Sequence, residues 1–507
     1  MRYFCILLIL LGISCKNDIQ PEIQETLATM ETYRPLYHFT PKEKWMNDPN
    51  GMVYYKGEYH LFYQYYPEDI VWGPMHWGHA VSKDMINWEH LPIAIYPDSL
   101  GYIFSGSAVV DWNNTSGLGT AENPPLVAIF TYHEPEAAET DAVDFQYQGI
   151  AYSTDGGREW IKFEGNPVLP NPGIRDFRDP KVSWHEASQK WIMALAVDDH
   201  ISFYSSPDLI NWEKESDFGL EWGSHGGVWE CPDLIPMKVE GSEEEQWVLL
   251  VSINPGGPQG GSATQYFVGD FNGSQFTLNE EFEQELLPRP VNENEPEKAI
   301  WLDHGPDNYA GVTWSDNPDD RVLFIGWMSN WQYAQVVPTE SWRSAMTLPR
   351  VLSLHKEGYS YRVHSAVVEE FDQLLGDELD PKALSESAYL DLAVTGDFKL
   401  LVSNEEGESF ELSLSNNVLT FDRTKAGISD FEPGFAAVHE LDLSQLNTER
   451  VEVYLDASSV EVFVNGGQRV MTELVFPNSP YTKLNLEGGV QLDQLKKVLP
   501  MTVTEKK

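Results

Sequence analysis

The chain has 507 residues, enough for two or three domains, and 42% of them are hydrophobic, which is sufficient for large cores. Its formal net charge of -46 disfavours nucleic acid and acidic polysaccharides as partners, because phosphate binding needs clustered Lys and Arg. A neutral substrate fits this charge best. The three cysteines, Cys5, Cys15 and Cys231, neither allow a disulfide framework nor show metal-site spacing, so we predict no metal and no cofactor.

The N-terminus has the pattern of an export signal. A basic residue precedes an apolar run over 3–13, which is too short for a permanent membrane helix and is typical of a signal-peptide core. The sequence over 11–15, Leu-Gly-Ile-Ser-Cys, resembles a bacterial lipobox, whose Cys becomes acylated. We therefore predict a lipoprotein-type signal over 1–15, a lipid anchor on Cys15, and a flexible tether over 16–32. The protein would face the periplasm or the cell surface; an ordinary cleaved signal with a coincidental Cys is the alternative.

Short β-rich runs follow, and no long amphipathic helical pattern is found. Each run is bounded by Gly, Pro, Asn or Asp, which is typical of an all-β protein. Aromatic residues make up 12% of the chain, which suits both β-rich cores and the binding of sugar faces. The clearest runs cover 59–66, 190–197, 246–253 and 321–327.

A weak internal repeat accompanies these runs. Ser-x-Asp followed by Trp occurs at 82–88, 153–160 and 206–212. The Asp side chain can bond the backbone of a turn, and the Trp can pack between adjacent sheets. This spacing is typical of blades, so we predict a β-propeller over 33–350.

The remainder of the chain differs in character, with no Trp after Trp342. We predict a connector over 351–379, with a helical stretch at 369–375, and a C-terminal β-sandwich over 380–507 with a structural or auxiliary role. A strand over 460–464 runs into Asn-Gly-Gly, which predicts a hairpin turn.

Asp48 is the first candidate site residue. It follows Asn47 and precedes Pro49 and an Asn-Gly pair. Pro cannot donate a backbone hydrogen bond and Asn-Gly favours tight hairpins, so we predict that Asp48 lies at a strand end, aimed by a stiff turn. Taken alone, this stretch is better explained by a surface hairpin with a solvated Asp, because the turn chemistry accounts for it fully.

Two further acidic motifs change that interpretation. Asp179 lies between Arg178 and a Pro, and Glu230 precedes Cys231 and another Pro. Inner strands of a propeller converge on one axial funnel, so acids far apart in sequence can meet there. A meeting of carboxylates indicates glycoside hydrolysis, in which one acid protonates the leaving oxygen and one carboxylate attacks or activates water. Burial and mutual repulsion raise the pKa of one carboxyl so that it stays protonated, while Arg178 keeps its neighbour ionised.

Together these motifs resemble those of glycoside hydrolase family 32, the β-fructosidases. The resemblance runs from about residue 34 to 350, and a sandwich tail is also usual for that family. It implies a five-bladed β-propeller catalytic domain followed by a C-terminal β-sandwich. The matching motifs lie at 45–51, 62–64, 72–80, 104–108, 178–180 and 230–231.

The resemblance also implies roles for individual residues. Asp48 would be the nucleophile, Glu230 the general acid and then the base, and Asp179 a binder of fructose hydroxyls that stabilises the transition state. The outcome would be retention, with the Asp48 and Glu230 carboxyls about 5–5.5 Å apart. Asp303 would be a further pocket residue, unless it is only a turn residue. The fructose pocket would be lined by Asn47, Gln64, Trp72, Phe104, Ser105 and Arg178.

The segment over 326–346 is similar to the exo-inulinase and levanase branch, and Trp331 would stack at the pocket rim or serve as a structural Trp. We expect release of terminal fructose from inulin- or levan-type β-fructans, with sucrose as a lesser substrate. The alternatives are a sucrose-preferring invertase, a fructosyltransferase on the same fold, an enzyme acting on pentose polymers, and an inactive glycan-binding lipoprotein. The sequence around Asp48 argues against pentose polymers, and the presence of all three acids argues against inactivity.

Overall fold

The computed structural model describes residues 31–286 and 298–505, which form β-strands joined by turns and short helical segments. The predicted signal, the predicted anchor Cys15 and most of the predicted tether lie outside the described residues. Within the described part, no helix has the length and apolar character needed to cross a membrane. The helical segments there are Pro135–Ala138, Glu280–Glu283 and a 3-10 helix over Glu369–Leu374.

The first twenty-two strands belong to a β-propeller. In chain order they are β1 (Lys44–Tyr55), β2 (Glu58–Tyr66), β3 (His76–Ser82), β4 (Trp88–Ile95), β5 (Tyr102–Val110), β6 (Leu126–His133), β7 (Gln146–Ser153), β8 (Ile161–Lys162), β9 (Phe177–His185), β10 (Lys190–Val197), β11 (His200–Ser206) and β12 (Glu213–Phe218). They continue as β13 (Val228–Lys238), β14 (Glu245–Asn254), β15 (Ala263–Phe271), β16 (Phe276–Leu278), β17 (Tyr309–Thr313), β18 (Val322–Met328), β19 (Trp342–Arg343), β20 (Ala345–Met346), β21 (Arg350–Glu357) and β22 (Ser360–Val367).

The remaining strands form a β-sandwich, apart from the last one. They are β23 (Leu375–Glu378), β24 (Ala388–Ser403), β25 (Ser409–Ser415), β26 (Val418–Lys425), β27 (Val438–Asp442), β28 (Arg450–Asp456), β29 (Ser459–Val464), β30 (Arg469–Leu474), β31 (Lys483–Val498) and β32 (Val503–Glu505).

The propeller sheets are built from strands that follow one another in sequence. The sets β1–β4, β5–β8, β9–β12 and β13–β16 each pair in order, and a further sheet runs β17-β18-β21-β22 with β20 beside β18. The first sheet is extended at both edges, because β19 pairs in parallel with β1 and β32 in parallel with β4.

The predicted connector over 351–379 is wrong in its first half. β21 pairs with β18, and β22 pairs with β21, so the last propeller sheet continues to residue 367. Leu352 and Leu354 are buried in alternation along β21, which is the period-two pattern of a half-buried strand. The 3-10 helix that follows agrees with the helical stretch predicted at 369–375.

The Ser-x-Asp repeat forms the same turn in different sheets. Asp84 Oδ1 accepts backbone hydrogen bonds from Ile86 and Asn87, at 3.0 and 2.8 Å, and Asp208 Oδ1 accepts the equivalent pair at the same distances. Each copy joins the third strand of its sheet to the fourth. The ring of Trp160, from the remaining copy, packs edge-on against Phe62 of the neighbouring sheet with centroids 5.3 Å apart. The predicted turn role of the Asp is confirmed at Asp84 and Asp208, and the predicted packing role of the Trp is confirmed at Trp160.

Two long strands connect the layers of the sandwich. The first half of β24 pairs with β28 and its second half with β25, while β31 pairs along both halves. The alternating apolar residues of these strands form one core. The hairpin predicted after residue 464 joins β29 to β30, and Asn465 and Gly466 have the positive φ angles, 49° and 70°, that such a turn requires.

A buried ionic cluster joins the sandwich to the propeller. Arg350 of β21 donates to Asp303 at 3.0 Å and to Glu461 of β29 at 2.5 Å. His38 bonds Asp456 through Nδ1 at 2.7 Å and Glu461 through Nε2 at 2.9 Å. All five side chains are 2% exposed or less, so each charge depends on its partners rather than on water.

His38 makes the stability of this cluster depend on pH. Burial lowers its pKa, but the hydrogen bonds and charges of Asp456 and Glu461 outweigh burial and raise the pKa from 6.5 to about 9. The folded state therefore holds one more proton than the unfolded state between these values. We predict that a contribution on the order of 3 kcal/mol, fully present below pH 6.5, is lost as pH rises through 9. Urea unfolding at pH 6 and pH 9.5 measures it.

The matched control is His38→Gln, which can hydrogen-bond but cannot titrate. Its free energy of unfolding should fall less than that of the parent between the two pH values. An equal fall in both proteins would contradict the assignment to His38.

Candidate active site

A cavity of about 340 Å³ opens where the first strands of the propeller sheets meet. Ten of the residues predicted from sequence line it, of which eight lie on strands of four different sheets and two, Trp72 and Trp331, lie in loops. Six further lining residues were not predicted: His133, Ala138, Phe145, Gln146, Arg175 and Asp176. The ten predicted residues are Asn47, Asp48, Gln64, Trp72, Phe104, Ser105, Arg178, Asp179, Glu230 and Trp331.

The hairpin predicted at Asn50-Gly51 is wrong. β1 continues through these residues to Tyr55, and its register against β2 shifts twice, around Pro49 and again after Asn50. Gly51 has a φ of +53°, and these irregularities are β-bulges rather than a turn. The chain reverses later, at Lys56-Gly57, where φ is 49° and 91°. Pro49 therefore marks a bulge, because a bulged residue needs no ladder hydrogen bond.

A similar β-bulge or register shift occurs in the first strands of the other propeller sheets, β5, β9, β13 and β17. The register of β9 shifts between Arg178 and Lys181, and that of β13 between Glu230 and Asp233. β5 is irregular between Ile103 and Gly106, and β17 between Tyr309 and Val312. Bulges re-aim side chains and end regular pairing, so these strands turn their polar residues toward one point.

Asp48 is held by two donors. Ser105 Oγ donates to its Oδ2 at 2.7 Å, and Asn47 Nδ2 donates to its Oδ1 at 3.1 Å. Burial raises the pKa of Asp48 to about 6; the Ser105 hydrogen bond opposes this and the charge of Glu230 adds to it. A buried carboxylate with two fixed donors is oriented while remaining ionised in neutral solution.

Asp179 lies deeper and has a φ of +63°. Its Oδ2 accepts from the backbone N–H of Cys231 at 3.1 Å and lies 3.9 Å from Arg178 Nε. Burial raises the pKa of Asp179 to about 7, against the lowering effect of Arg178 and with the help of the charges of Glu230 and Asp48. The Cys231 thiol lies 3.7 Å from both aspartates, so it separates the two carboxylates with a weakly polar group.

Glu230 faces two donors. Arg178 Nη2 donates to its Oε1 at 2.8 Å, and the hydroxyl of Tyr309 donates to its Oε2. Tyr309 is 1% exposed and was not predicted from the sequence, where only its position after an Asp-rich turn was visible. These contacts fix the rotamer of Glu230 and leave 23% of its side chain exposed to the cavity.

Aromatic rings form the cavity walls. Trp331 stacks on Trp45 with centroids 5.9 Å apart and packs against Trp327 at 4.9 Å. On the opposite side, Phe104 stacks face-to-face on His133 at 4.2 Å. Burial lowers the pKa of His133 to about 4, with help from Arg178 and Arg175, so this ring is neutral at pH 7. Such walls suit the C–H faces of a neutral sugar.

Asp303 does not line this cavity. Its carboxylate accepts from Arg350 at 3.0 Å and from Thr472 Oγ1 at 2.7 Å, within the buried ionic cluster, and also from the backbone N–H of Gly305 at 2.9 Å. A buried carboxylate needs several hydrogen-bond donors, and these contacts occupy both oxygens of Asp303. The sequence interpretation of Asp303 as a pocket residue is therefore corrected to a structural one.

The arrangement supplies an oriented carboxylate in Asp48, a second carboxyl group in Glu230 that is fixed by Arg178 and Tyr309, and a third in Asp179 that is held by the Cys231 backbone. Among the described residues, no group of His, Cys, Asp and Glu side chains is arranged to hold a metal ion.

Comparison with known families agrees with this geometry. The family model for the Glycosyl hydrolases family 32 N-terminal domain matches residues 38–365, and that for the family 32 C-terminal domain matches residues 352–498. The chain belongs to glycosyl hydrolase family 32. It is accordingly a glycoside hydrolase, and the propeller and sandwich correspond to the two parts of the family.

Individual members of family 32 resemble most of the chain. A levanase of Bacillus subtilis (strain 168) is 46% identical over 495 residues, covering 92% of this chain and 70% of the relative. The crystal structure of an exo-inulinase from Aspergillus awamori has a TM-score of 0.84 and 34% identity, covering 93% of this chain and 99% of that chain. A β-fructofuranosidase from Schwanniomyces occidentalis, complexed with fructosyl-erythritol, has a TM-score of 0.79 and 30% identity, covering 93% and 98%.

Gly51 is the residue on which the bulge beside Asp48 depends. A Cβ there would lie 2.6 Å from Trp77 and 2.7 Å from Phe62, in addition to the strain of a positive φ. We predict that Gly51→Ala lowers the free energy of unfolding by about 3 kcal/mol. Urea unfolding of the purified variant measures the loss.

Gly57→Ala is the matched control, because Gly57 has a positive φ but a Cβ added there would meet no atom within 4 Å. It should lose only the strain of about 1 kcal/mol. Equal losses in the two variants would show that crowding around Gly51 is unimportant.

Proposed function

We propose that the protein is a retaining, exo-acting β-fructosidase that releases terminal fructose from inulin- or levan-type β-fructans and also hydrolyses sucrose. The observation that carries the proposal is the meeting of Asp48, Asp179 and Glu230 in one aromatic-walled cavity. The relatives of the chain include a levanase and an exo-inulinase, which supports the same substrates. An overall charge of -46 suits neutral polymers of this kind.

In the proposed reaction Asp48 attacks the anomeric carbon of the terminal fructosyl unit. Glu230 donates its proton to the glycosidic oxygen as that bond breaks, and a fructosyl ester forms on Asp48. Glu230 then removes a proton from water, which attacks the same carbon and frees the Asp48 carboxylate. Two inversions give retention, which corresponds to carboxyl groups about 5–5.5 Å apart.

Asp179 and Arg178 bind in this scheme rather than transfer protons. The backbone N–H of Cys231 and the guanidinium of Arg178 hold the Asp179 carboxylate so that it accepts hydrogen bonds from fructose hydroxyls. Its negative charge also stabilises the positive charge that develops on the ring. Asn47, Gln64, Trp72, Phe104, Ser105 and Trp331 complete the proposed pocket.

The propeller is proposed to have five blades. The first strands of its sheets contact one another in the cyclic order β1, β5, β9, β13, β17 and back to β1, which supports this count. The blades would extend to residue 367, with a connector over 368–374 and the sandwich from 375 onward.

Export as a lipoprotein anchored at Cys15 is also proposed. It is supported by the lipobox pattern at 11–15. The related Aspergillus awamori enzyme is described as an extracellular exo-inulinase. The protein would then meet fructan polymers at the periplasmic or outer face of a membrane.

Product analysis tests the substrate and the exo mode. Incubation with inulin, levan and sucrose should release free fructose from the earliest times, faster from a fructan than from sucrose, and without oligosaccharide ladders. Chromatography of time points measures this. Ladders before free fructose would reject the exo mode, and a faster rate on sucrose would make the protein an invertase.

Asp48→Asn is the control that assigns the activity to this cavity. It should lower kcat by at least about 10⁴-fold, because the nucleophile is lost. Asp316→Asn is the matched variant, since Asp316 is another carboxylate with a raised pKa but accepts hydrogen bonds from Val110 and Trp112 and does not line the cavity. Fructose release by Asp48→Asn at the parental rate would disprove the role of Asp48.

The pH profile should report Asp48. Because Asp48 and Asp179 both act as carboxylates and burial raises their pKa values to about 6 and about 7, kcat/KM should fall as pH decreases through this range, and the lower part of the acid limb should belong to Asp48. Ser105→Ala removes a hydrogen bond that favours the ionised form of Asp48, so the midpoint of that lower part should rise by about one pH unit. Initial rates on sucrose between pH 4 and 8 measure both midpoints.

Ser202→Ala is the control for that shift, because Ser202 donates to Asp217 at 2.6 Å in another sheet. Its acid limb should match that of the parent. An unshifted limb in Ser105→Ala would show that Asp48 does not set the profile.

A further inference from the structure

The wall formed by Trp331 belongs to a loop whose opposite side contacts the sandwich. This Trp331 loop, residues 329–337, follows β18. Its beginning is fixed to the propeller, because Ser262 Oγ accepts from the Trp331 backbone N–H at 3.0 Å and Asn330 Nδ2 donates to the Pro306 carbonyl at 2.8 Å. Two residues further on, the side chain of Tyr333 points away from the cavity and is 2% exposed.

Tyr333 is held by a residue of the sandwich. Its hydroxyl donates to Asp307 Oδ1 at 2.5 Å and accepts from Arg423 Nη2 of β26 at 3.1 Å. Its ring packs edge-on against Phe435, with centroids 5.1 Å apart. Val337, at the end of the loop, joins the same apolar cluster. The middle and the end of the Trp331 loop therefore pack against the sandwich.

Arg423 is itself fixed on every side. Its Nε donates to the Phe435 carbonyl at 2.7 Å, and its Nη1 donates to Asp307 Oδ2 at 2.8 Å and to Glu473 at 3.3 Å. The guanidinium lies 4.0 Å from the centre of the Phe435 ring and is 1% exposed. A guanidinium with several fixed acceptors is a rigid support for a further hydrogen bond.

We propose that Arg423 and Tyr333 are positioning residues through which the sandwich holds Trp331 against the substrate. The inference rests on the proposed function, since it assigns to Trp331 a contact with the bound fructan or sucrose. Neither Arg423 nor Tyr333 lines the cavity, so both act through the loop. The sandwich thereby determines substrate affinity without contributing a group to the reaction.

This route predicts a specific kinetic effect. Asp48 and Glu230 lie on β1 and β13, not on the Trp331 loop, so loosening the loop leaves the reacting groups in place. A misplaced wall weakens binding of the ground state and the transition state alike. KM then rises while kcat changes little.

Tyr333→Phe is the informative variant, because it removes the hydroxyl and keeps the ring. Asp307 retains Arg423 and the backbone N–H of Leu474, at 2.8 Å each, so the fold is preserved. KM for sucrose and for inulin should rise about three- to tenfold, with kcat within about twofold of the parent. Tyr361→Phe is the matched control, since Tyr361 lies in the last propeller sheet and also donates its hydroxyl to a carboxylate, that of Glu244. The KM of this variant should equal the parental one.

A double-mutant cycle tests the route through Trp331. Trp331→Ala should raise KM by itself, and adding Tyr333→Phe to it should raise KM by less than about twofold further, because the wall is already missing. An unchanged KM in Tyr333→Phe, or an equal rise in both backgrounds, would overturn the inference. A parental KM in Trp331→Ala would overturn it as well, by removing the substrate contact. Failure of the parent to release fructose would instead overturn the proposed function.

Discussion

The placement of one guanidinium among three carboxylates is the constraint on which the site depends. Arg178 lies 2.5 Å from Asp176, 2.8 Å from Glu230 and 3.9 Å from Asp179. Burial and the charges of neighbouring carboxylates raise the pKa values of Asp48 and Asp179, and Arg178 opposes the rise at Asp179. The guanidinium limits that effect without abolishing it. The cavity therefore keeps both ionised and protonatable carboxyl groups, which is what a two-carboxylate mechanism needs.

The backbone meets this constraint with irregular strands. A regular strand alternates its side chains between two faces and cannot aim neighbouring residues at one point. The bulges at Asp48, Asp179 and Glu230 remove that alternation locally, while the second and third strands of the same sheets pair in a regular register. The strain of positive φ at Asp179 and Cys231 is tolerated because the surrounding sheets are fully packed. The inner strands are thus irregular where they carry the site, and the regularly paired strands next to them hold those irregular strands in place.

Turn repeats and strand alternation are local signals that predict the propeller and the sandwich, and the Pro-marked acidic motifs predict the meeting of Asp48, Asp179 and Glu230. Most of the other cavity residues are expected only from the resemblance to family 32. The sequence alone does not predict the role of a residue when that role depends on a contact with a residue far away in the chain. The partner of Asp303 is Arg350, 47 residues away, and that of Glu230 is Tyr309, 79 residues away. Asn-Gly pairs occur in hairpin turns and in bulges alike, so the sequence alone does not distinguish the two at Asn50-Gly51. The strands over 350–367 belong to the propeller because β21 pairs with β18, and such a pairing is not visible in the sequence.

The closing of the first sheet has a consequence for how the chain folds. β32 pairs with β4, and the backbone N–H of Thr502 donates to Asn87, 415 residues earlier in the sequence. The first sheet therefore keeps an open edge until residues 503–505 have been synthesised. Contacts of such large sequence separation slow folding, because a long loop must be closed before they can form. Completion of the first sheet accordingly waits for β32, although most strand pairs of the propeller join neighbours in the sequence.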